Sequence, residues 1–253
     1  MNIVVAIKLV PDLVEELAID ETGTALDATF LRLIINELDN HAIEQAILSK
    51  EHSGGQVTIV APDVEGADDV LYAAAARGAD RLIKLAGDWG GVNNHAMAHA
   101  LAAVLKTAQP QLVLTGVQAH NDLDGAVGPQ LAELLDMPYI GYVSGVSLSG
   151  DKAMVRKEYP GGLIAQVEVT LPAVLGIQAA EKPPRYVPIS KVRQVMKTTK
   201  IEEQPAAELE SIGGATVSRM FRPEAGERAI MLEGEVDEVA AKLVAIFKEH
   251  GVL

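Results

Sequence analysis

The sequence contains no cysteine, which excludes disulfides, cysteine-ligated zinc, iron–sulfur clusters, thioether-linked haem and a cysteine nucleophile. Any redox role therefore has to use a bound organic cofactor. Aromatic residues are scarce, with three Phe, five Tyr and one Trp in 253 residues, so the core must be aliphatic, and a 49% hydrophobic composition suffices for one. Cations are outnumbered, 21 Lys and Arg against 35 Asp and Glu. The net charge of −14 argues against wrapping nucleic acid or binding an anionic membrane. No apolar run approaches the roughly 18 residues needed to span a bilayer. The opening MNIVVAIKLVPD has no basic stretch before its apolar run, so it predicts the first strand of a cytoplasmic protein and not a secretory signal. There is no GxSxG, no GxxxxGK followed by Ser or Thr, and no GxGxxG after the first strand, which favours a binder or carrier over a hydrolase.

What is present is a regular alternation. Residues 2–8 (NIVVAIK), 56–62 (QVTIVAP), 81–85 (RLIKL) and 111–116 (QLVLTG) are short β-branched or aliphatic runs of the kind found in strands covered on both faces. Between them, residues 41–51, 66–77, 95–105 and 126–135 carry apolar side chains three and four apart and predict amphipathic helices. Strand and helix in repetition imply right-handed crossovers and a Rossmann-like parallel sheet in an α/β fold. Residues 11–38 fit this rhythm poorly. After Pro138, residues 139–148, 152–157, 163–170 and 173–177 read as strands, the first two joined by the turn Ser149-Gly150-Asp151, which adds a β-rich segment. Residues 202–214 read as a flexible acidic linker, and residues 235–249 as an amphipathic helix in a C-terminal arm.

In open α/β sheets, ligands bind beyond the carboxyl ends of the strands. The loop 116–128, GVQAHNDLDGAVG, is the richest candidate. Its glycines permit close backbone approach, and Gln118, His120, Asn121, Asp122 and Asp124 precede a helix, which suits a phosphate or ribose. The same residues also suit a solvated loop with an Asp helix cap. His95 and His99 lie four apart, but no acidic third ligand follows at a useful spacing, so they read as surface or helix-end histidines. Residues 182–200 hold Lys182, Arg185, Lys191, Arg193, Lys197 and Lys200 and no acid. This run is either a solvated basic helix or a dock for a protein of opposite charge.

Six segments in order resemble the beta subunit of electron-transfer flavoproteins: Val5-Ala6-Ile7-Lys8 with Val10-Pro11-Asp12, the approach from Asn36 to Ala46, Ala76-Arg77-Gly78-Ala79-Asp80-Arg81, the loop 116–128, residues 155–175, and Pro184-Arg185-Tyr186. The resemblance covers residues 1 to about 200, and residues 231–253 are similar to the tail of longer bacterial members. It implies an adenine-nucleotide-binding domain with a β extension over residues 1–181, a basic recognition loop over 182–200, and an arm over 201–253 contacting an alpha subunit. It further implies a heterodimer in which FAD is shared with that alpha subunit, and a second adenine nucleotide here, AMP or alternatively a second FAD. Electrons would come from flavin dehydrogenases such as acyl-CoA dehydrogenases and pass to a quinone-linked oxidoreductase, with no catalytic side chains in this chain. By position, nucleotide contacts fall on Ala6, Asn36, Ala61, Gln118, Ala119, Asn121, Asp122, Leu123, Asp124, Gly125, Ala126 and Val127. Partner contacts fall on Leu13, Glu158, Glu181, Arg185, Tyr186, Lys191, Arg193 and Lys197. Leu13 stands where some relatives carry a tyrosine near the flavin, and Glu181 where the recognition loop has its apolar anchor. Gly125-Ala126-Val127-Gly128 replaces the family's Asn-Gln-Thr-Gly, leaving phosphate contacts to backbone amides. The competing expectation is a stand-alone adenine-nucleotide-binding or ATP-hydrolysing α/β protein.

Overall fold

The apolar run of β1 (Asn2–Ala6) lies between two parallel neighbours, β4 (Gln56–Pro62) and β6 (Leu112–Gly116), and is buried on both faces after its first residue. This computed structural model describes residues 1–253 except Phe30, Glu208, Ser211, Ile212, Ala225, Glu227 and Arg228. Beyond β4 lie β5 (Arg81–Ala86) and then β11 (Ile201–Pro205). Beyond β6 lie β10 (Ala173–Ile177) and β7 (Tyr139–Ser149), all seven strands running parallel. Strands β8 (Lys152–Tyr159) and β9 (Leu163–Thr170) continue from β7 as an antiparallel meander, giving the order β11-β5-β4-β1-β6-β10-β7-β8-β9. Helices α1 (Glu37–Ser53) and α2 (Ala67–Arg77) cover one face, where Ile3, Val5, Ile43, Ile47, Ile59 and Leu71 form an aliphatic core. Helices α3 (Asn94–Ala108) and α4 (Val127–Leu135) cover the other, around Val4, Ile83, Leu101, Leu105, Val113 and Leu131. The doubly covered parallel sheet expected from the alternating pattern is present.

Three local readings change. Residues 202–214 do not start as a linker: Ile201–Pro205 pairs in register with Leu82–Ala86 as an edge strand, and Arg81 clasps the Glu202 carboxylate at 3.0 and 2.7 Å. The poorly periodic excursion 11–38 contains a small antiparallel ladder of β2 (Leu9–Pro11) and β3 (Leu33–Ile35). Within the basic segment a short helix, α5 (Ile189–Val195), packs beside α2.

The chain forms two compact units, Met1–Ser218 and Arg219–Leu253, so the first extends past the boundary drawn at residue 200. The second unit contains α6 (Val236–Glu249), with Asp237 and Glu238 in its first turn and Lys248 in its last, matching the helix dipole. Its Val236, Leu243, Val244 and Phe247 are exposed. Among the described residues, no helix is long and apolar enough to cross a membrane.

Candidate functional site

The strand order places β4 and β5 on one side of β1 and β6 and β10 on the other, so a crevice opens at the carboxyl ends of β1 and β6. About 300 Å³ of empty space lies within it, part of it open to solvent. The first turn of α1 ties its floor together. Asp39 accepts the Lys8 N–H on Oδ2 at 2.8 Å and the Gly116 N–H on Oδ1 at 2.6 Å. Asn36 donates from Nδ2 to the Gln118 carbonyl at 2.9 Å. A Cβ on Gly116 would lie 2.7 Å from Asp39 Oδ1 and 2.9 Å from Asn36 Nδ2, so only glycine allows the strand end this close to the helix. Burial pushes the Asp39 carboxyl up to about 6, against the opposing pull of its two backbone donors.

The roof is a polar network. Lys8 Nζ donates to Asn94 Oδ1 and Asp122 Oδ1, each at 2.8 Å. Asn94 Nδ2 donates to Asp122 Oδ1 at 2.8 Å and the Gly125 carbonyl at 2.7 Å, while Asp122 Oδ2 accepts the Ala119 N–H at 2.7 Å. The start of α3 is capped twice. Asn93 accepts from the Ala96 N–H at 3.0 Å, and the Asp124 carboxylate accepts from Asn94 and His95 N–H at 3.3 and 3.2 Å. The start of α4 is different: its N-cap, Ala126, is extended and no side chain caps it, Pro129 in its first turn has no N–H, and Val127 of that turn lines the crevice.

These residues fit an adenine nucleotide. Ala6, Met97, Leu101 and Val127 supply apolar walls for a flat base, and the open end of α4 supplies amides and a positive dipole for phosphate. Thr115 lines the same crevice, is only 3% exposed, and its Oγ1 has no hydrogen-bond partner. An orphaned hydroxyl there is what a ligand atom would satisfy. Gly128 permits the packing beneath, since a Cβ would meet Thr115 Oγ1 at 2.7 Å.

Of the nucleotide positions expected from the sequence, Ala6, Asn36, Gln118, Ala119, Asp122 and Val127 converge on this crevice. Asn121, Leu123 and Asp124 line a neighbouring cavity with Asn93, Thr216 and again Lys8. Gly125 contributes its carbonyl to Asn94, and Ala126 is the α4 N-cap. Ala61 lies apart from the crevice wall, fully buried in β4 opposite Lys84. Sequence reasoning missed Lys8, Asp39, Asn94 and Thr115. The signals were a cation ending the first strand run, and polar residues at the first turns of two helices and the end of β6.

The basic segment is rooted on α1. Ala180 N–H donates to His41 Nδ1 at 3.2 Å and Glu181 N–H to Gln45 Oε1 at 3.1 Å, while Glu181 Oε1 accepts the Val146 N–H at 3.3 Å. Arg185 binds Glu44 through its N–H at 3.0 Å and Nε at 2.8 Å, and Glu51 through both terminal nitrogens at 2.6 and 3.1 Å. The Arg185 hydrogen bonds hold the Glu51 carboxyl below its ordinary range, and reciprocally raise the Arg185 value. Arg185 and Glu181 are thus engaged inside the chain. Tyr186 is 85% exposed, and Lys191, Arg193 and Lys197 are exposed on and after α5. Leu13 is 62% exposed, and Glu158 is exposed on β8 beside Tyr159.

Residues 28–209 match the electron transfer flavoprotein domain family. The chain is 34% identical to the electron transfer flavoprotein subunit beta of Methylophilus methylotrophus, over 98% of each chain. It is 32% identical to the subunit beta of Clostridium acetobutylicum over 99% of each. It is also 30% identical to the acryloyl-CoA reductase electron transfer subunit gamma of Anaerotignum propionicum, over 96% of this chain and 97% of that one. A crevice built at the β1/β6 switch, a family match across most of the sheet and near full-length likeness to beta subunits lead to one assignment: the chain belongs to the electron transfer flavoprotein family and is of its beta-subunit type, an electron-carrier subunit.

Proposed function

We propose that this chain is the nucleotide-holding, non-catalytic beta subunit of a heterodimer, binding AMP in the β1/β6 crevice and helping an alpha subunit hold FAD. The observation that carries the reading is the pairing of apolar walls with the uncapped start of α4 and the unpartnered Thr115 hydroxyl. AMP is preferred to a second FAD because Lys8, bonded to Asn94 and Asp122, lines both the crevice and the neighbouring cavity and so stands where a longer dinucleotide would have to continue. FAD supplies the redox chemistry, so this chain's task is to bind, orient and present.

In the same reading Leu13 and Glu158 face the alpha subunit, with the arm that carries α6. The exposed Tyr186, Lys191, Arg193 and Lys197 dock flavin dehydrogenases, and electrons leave for a quinone-linked oxidoreductase. Likeness to a subunit of acryloyl-CoA reductase favours redox partners that act on acyl-CoA compounds. The test is to co-purify the chain with its alpha subunit and identify acid-released ligands by mass. One FAD and one AMP per heterodimer is the expected result. Two FAD would replace AMP in this reading, and release of no adenine nucleotide beyond one FAD would overturn it.

A further inference from the structure

We propose that Lys8 is the phosphate-responsive residue of the crevice: on nucleotide binding its ammonium exchanges the bond to Asp122 for one to the phosphate, and so couples occupancy to the loop of residues 119–125. The inference rests on the nucleotide reading above. Lys8 is the single cation among the residues lining the crevice, and its side chain is only 14% exposed. An ammonium has three donors. Two are spent, on Asn94 Oδ1 and Asp122 Oδ1, which leaves the third for whatever enters.

Electrostatics draws the ammonium toward the phosphate. A phosphate arriving in this crevice meets two carboxylates in its wall, Asp39 and Asp122, inside a chain of net charge −14. Of the two helix starts nearby, α3 is already occupied by Asn93 and Asp124, so only α4 offers free amides. Those amides carry only a partial charge, so the Lys8 ammonium is the full positive charge within the crevice lining that a phosphate can recruit. Lys8 can turn without stranding its partner. Asp122 Oδ1 retains the Asn94 Nδ2 bond and Oδ2 the Ala119 N–H, so the loop relaxes while remaining hydrogen-bonded. Asn94, which also holds the Gly125 carbonyl, passes the change toward the start of α4.

Comparing AMP with adenosine isolates the phosphate. Calorimetric titration of the nucleotide-free heterodimer containing the full chain is expected to show Lys8→Gln weakening AMP by about tenfold or more, with adenosine changed less than about twofold. Asp122→Asn removes the charge that competes for the ammonium and is expected to tighten AMP several-fold relative to adenosine, the common cost of the altered hydrogen bonds cancelling in that ratio. This variant carries the test alone if Lys8→Gln does not fold. Equal effects on both ligands, or no gain for AMP relative to adenosine in Asp122→Asn, would overturn the role of Lys8 and leave the nucleotide site standing. Failure of the unmodified protein to bind either ligand would remove the nucleotide reading, and this proposal with it.

Discussion

Asp39 offers the most quantitative test of the crevice. Burial raises its carboxyl from an ordinary 3.8 to about 6, outweighing the Lys8 and Gly116 backbone donors, the Asn36 side chain and the charge of Lys8, which all pull the other way. The folded chain therefore holds this proton more tightly than the unfolded one. Stability from this group is present at acidic pH and is lost as pH rises through 6. The full difference is worth about 3 kcal/mol, and about half of it falls between pH 7.5 and pH 5. Asp39→Asn removes the titration while keeping the shape. It still accepts one N–H through its oxygen, but sets an amide NH2 against the other, a cost of about 1–3 kcal/mol at every pH. Other carboxylates, such as Glu51 and Glu202, are shifted the opposite way, but they titrate identically in both proteins and cancel in the difference. Denaturant midpoints at pH 7.5, 6 and 5, without added nucleotide, should show the parent gaining about 1.4 kcal/mol on Asp39→Asn across that range. Parallel curves, or a parent that loses ground on acidification, would refute the buried, charge-unpaired environment assigned to Asp39.

Gly116→Ala forces a Cβ against Asp39 and Asn36 at 2.7 to 2.9 Å and is expected to destabilise the chain by about 2 kcal/mol or more; a denaturation midpoint equal to the parent's would contradict the close approach of β6 and α1. Arg185→Gln takes the guanidinium from Glu44, which is 1% exposed, leaving it the backbone N–H of residue 185, and should cost about 3 kcal/mol, with Glu44→Gln restoring much of the loss in the double variant; additive losses would show that the pair is not coupled. Neutralising Arg193 and Lys197 together should slow electron delivery from a dehydrogenase partner at low ionic strength and much less at high; rates unchanged at both would remove the docking role of α5.

Much of the sheet is legible in the sequence, because strands buried on both faces are written in largely apolar runs: β1, β4, β6 and β10 are, and β5 is apart from Arg81 and Lys84. The edge strand β11 is not. Ile201–Pro205 is open to solvent along most of its length, so IEEQP carries the charge of a linker while its pairing with β5 is made by the backbone. Strands β2 and β3, at three residues each, are too short to show a period. The nucleotide loop could be read because its glycines and acids cluster in sequence. Lys8 follows β1, while Asp39, Asn94 and Thr115 lie on α1, α3 and β6, and only the side-by-side pairing of β1 and β6 brings them together. Glu44 is hidden for another reason: on a helix period it falls where water is expected, and it is buried only because Arg185, 141 residues further on, lies over it.

Helix α1 explains why both candidate functions depend on one element. Its pattern predicts one apolar face, yet Asp39, Glu44, Gln45 and Ser49 are buried along with Ile43, Ile47 and Leu48. The polar residues are spent on chain segments instead of water. Asn36 and Asp39 fasten the ends of β1 and β6, whereas His41, Gln45 and Glu44 fasten residues 180, 181 and 185. The two attachments differ in kind. On the crevice side the buried charge of Asp39 is met by N–H donors and no direct ion pair, so it is this charge that burial penalises and protonation near pH 6 that relieves it. At the root of the basic segment the negative charges of Glu44 and Glu51 are met by a guanidinium in a four-bond clasp, which removes Arg185 from the exposed cations and leaves the other five outside. Mild acid therefore acts first on the floor of the crevice, and ionic strength on the exposed cations beyond the clasp. Nucleotide retention measured against pH and partner docking measured against salt should vary independently, although both regions are bolted to the same helix.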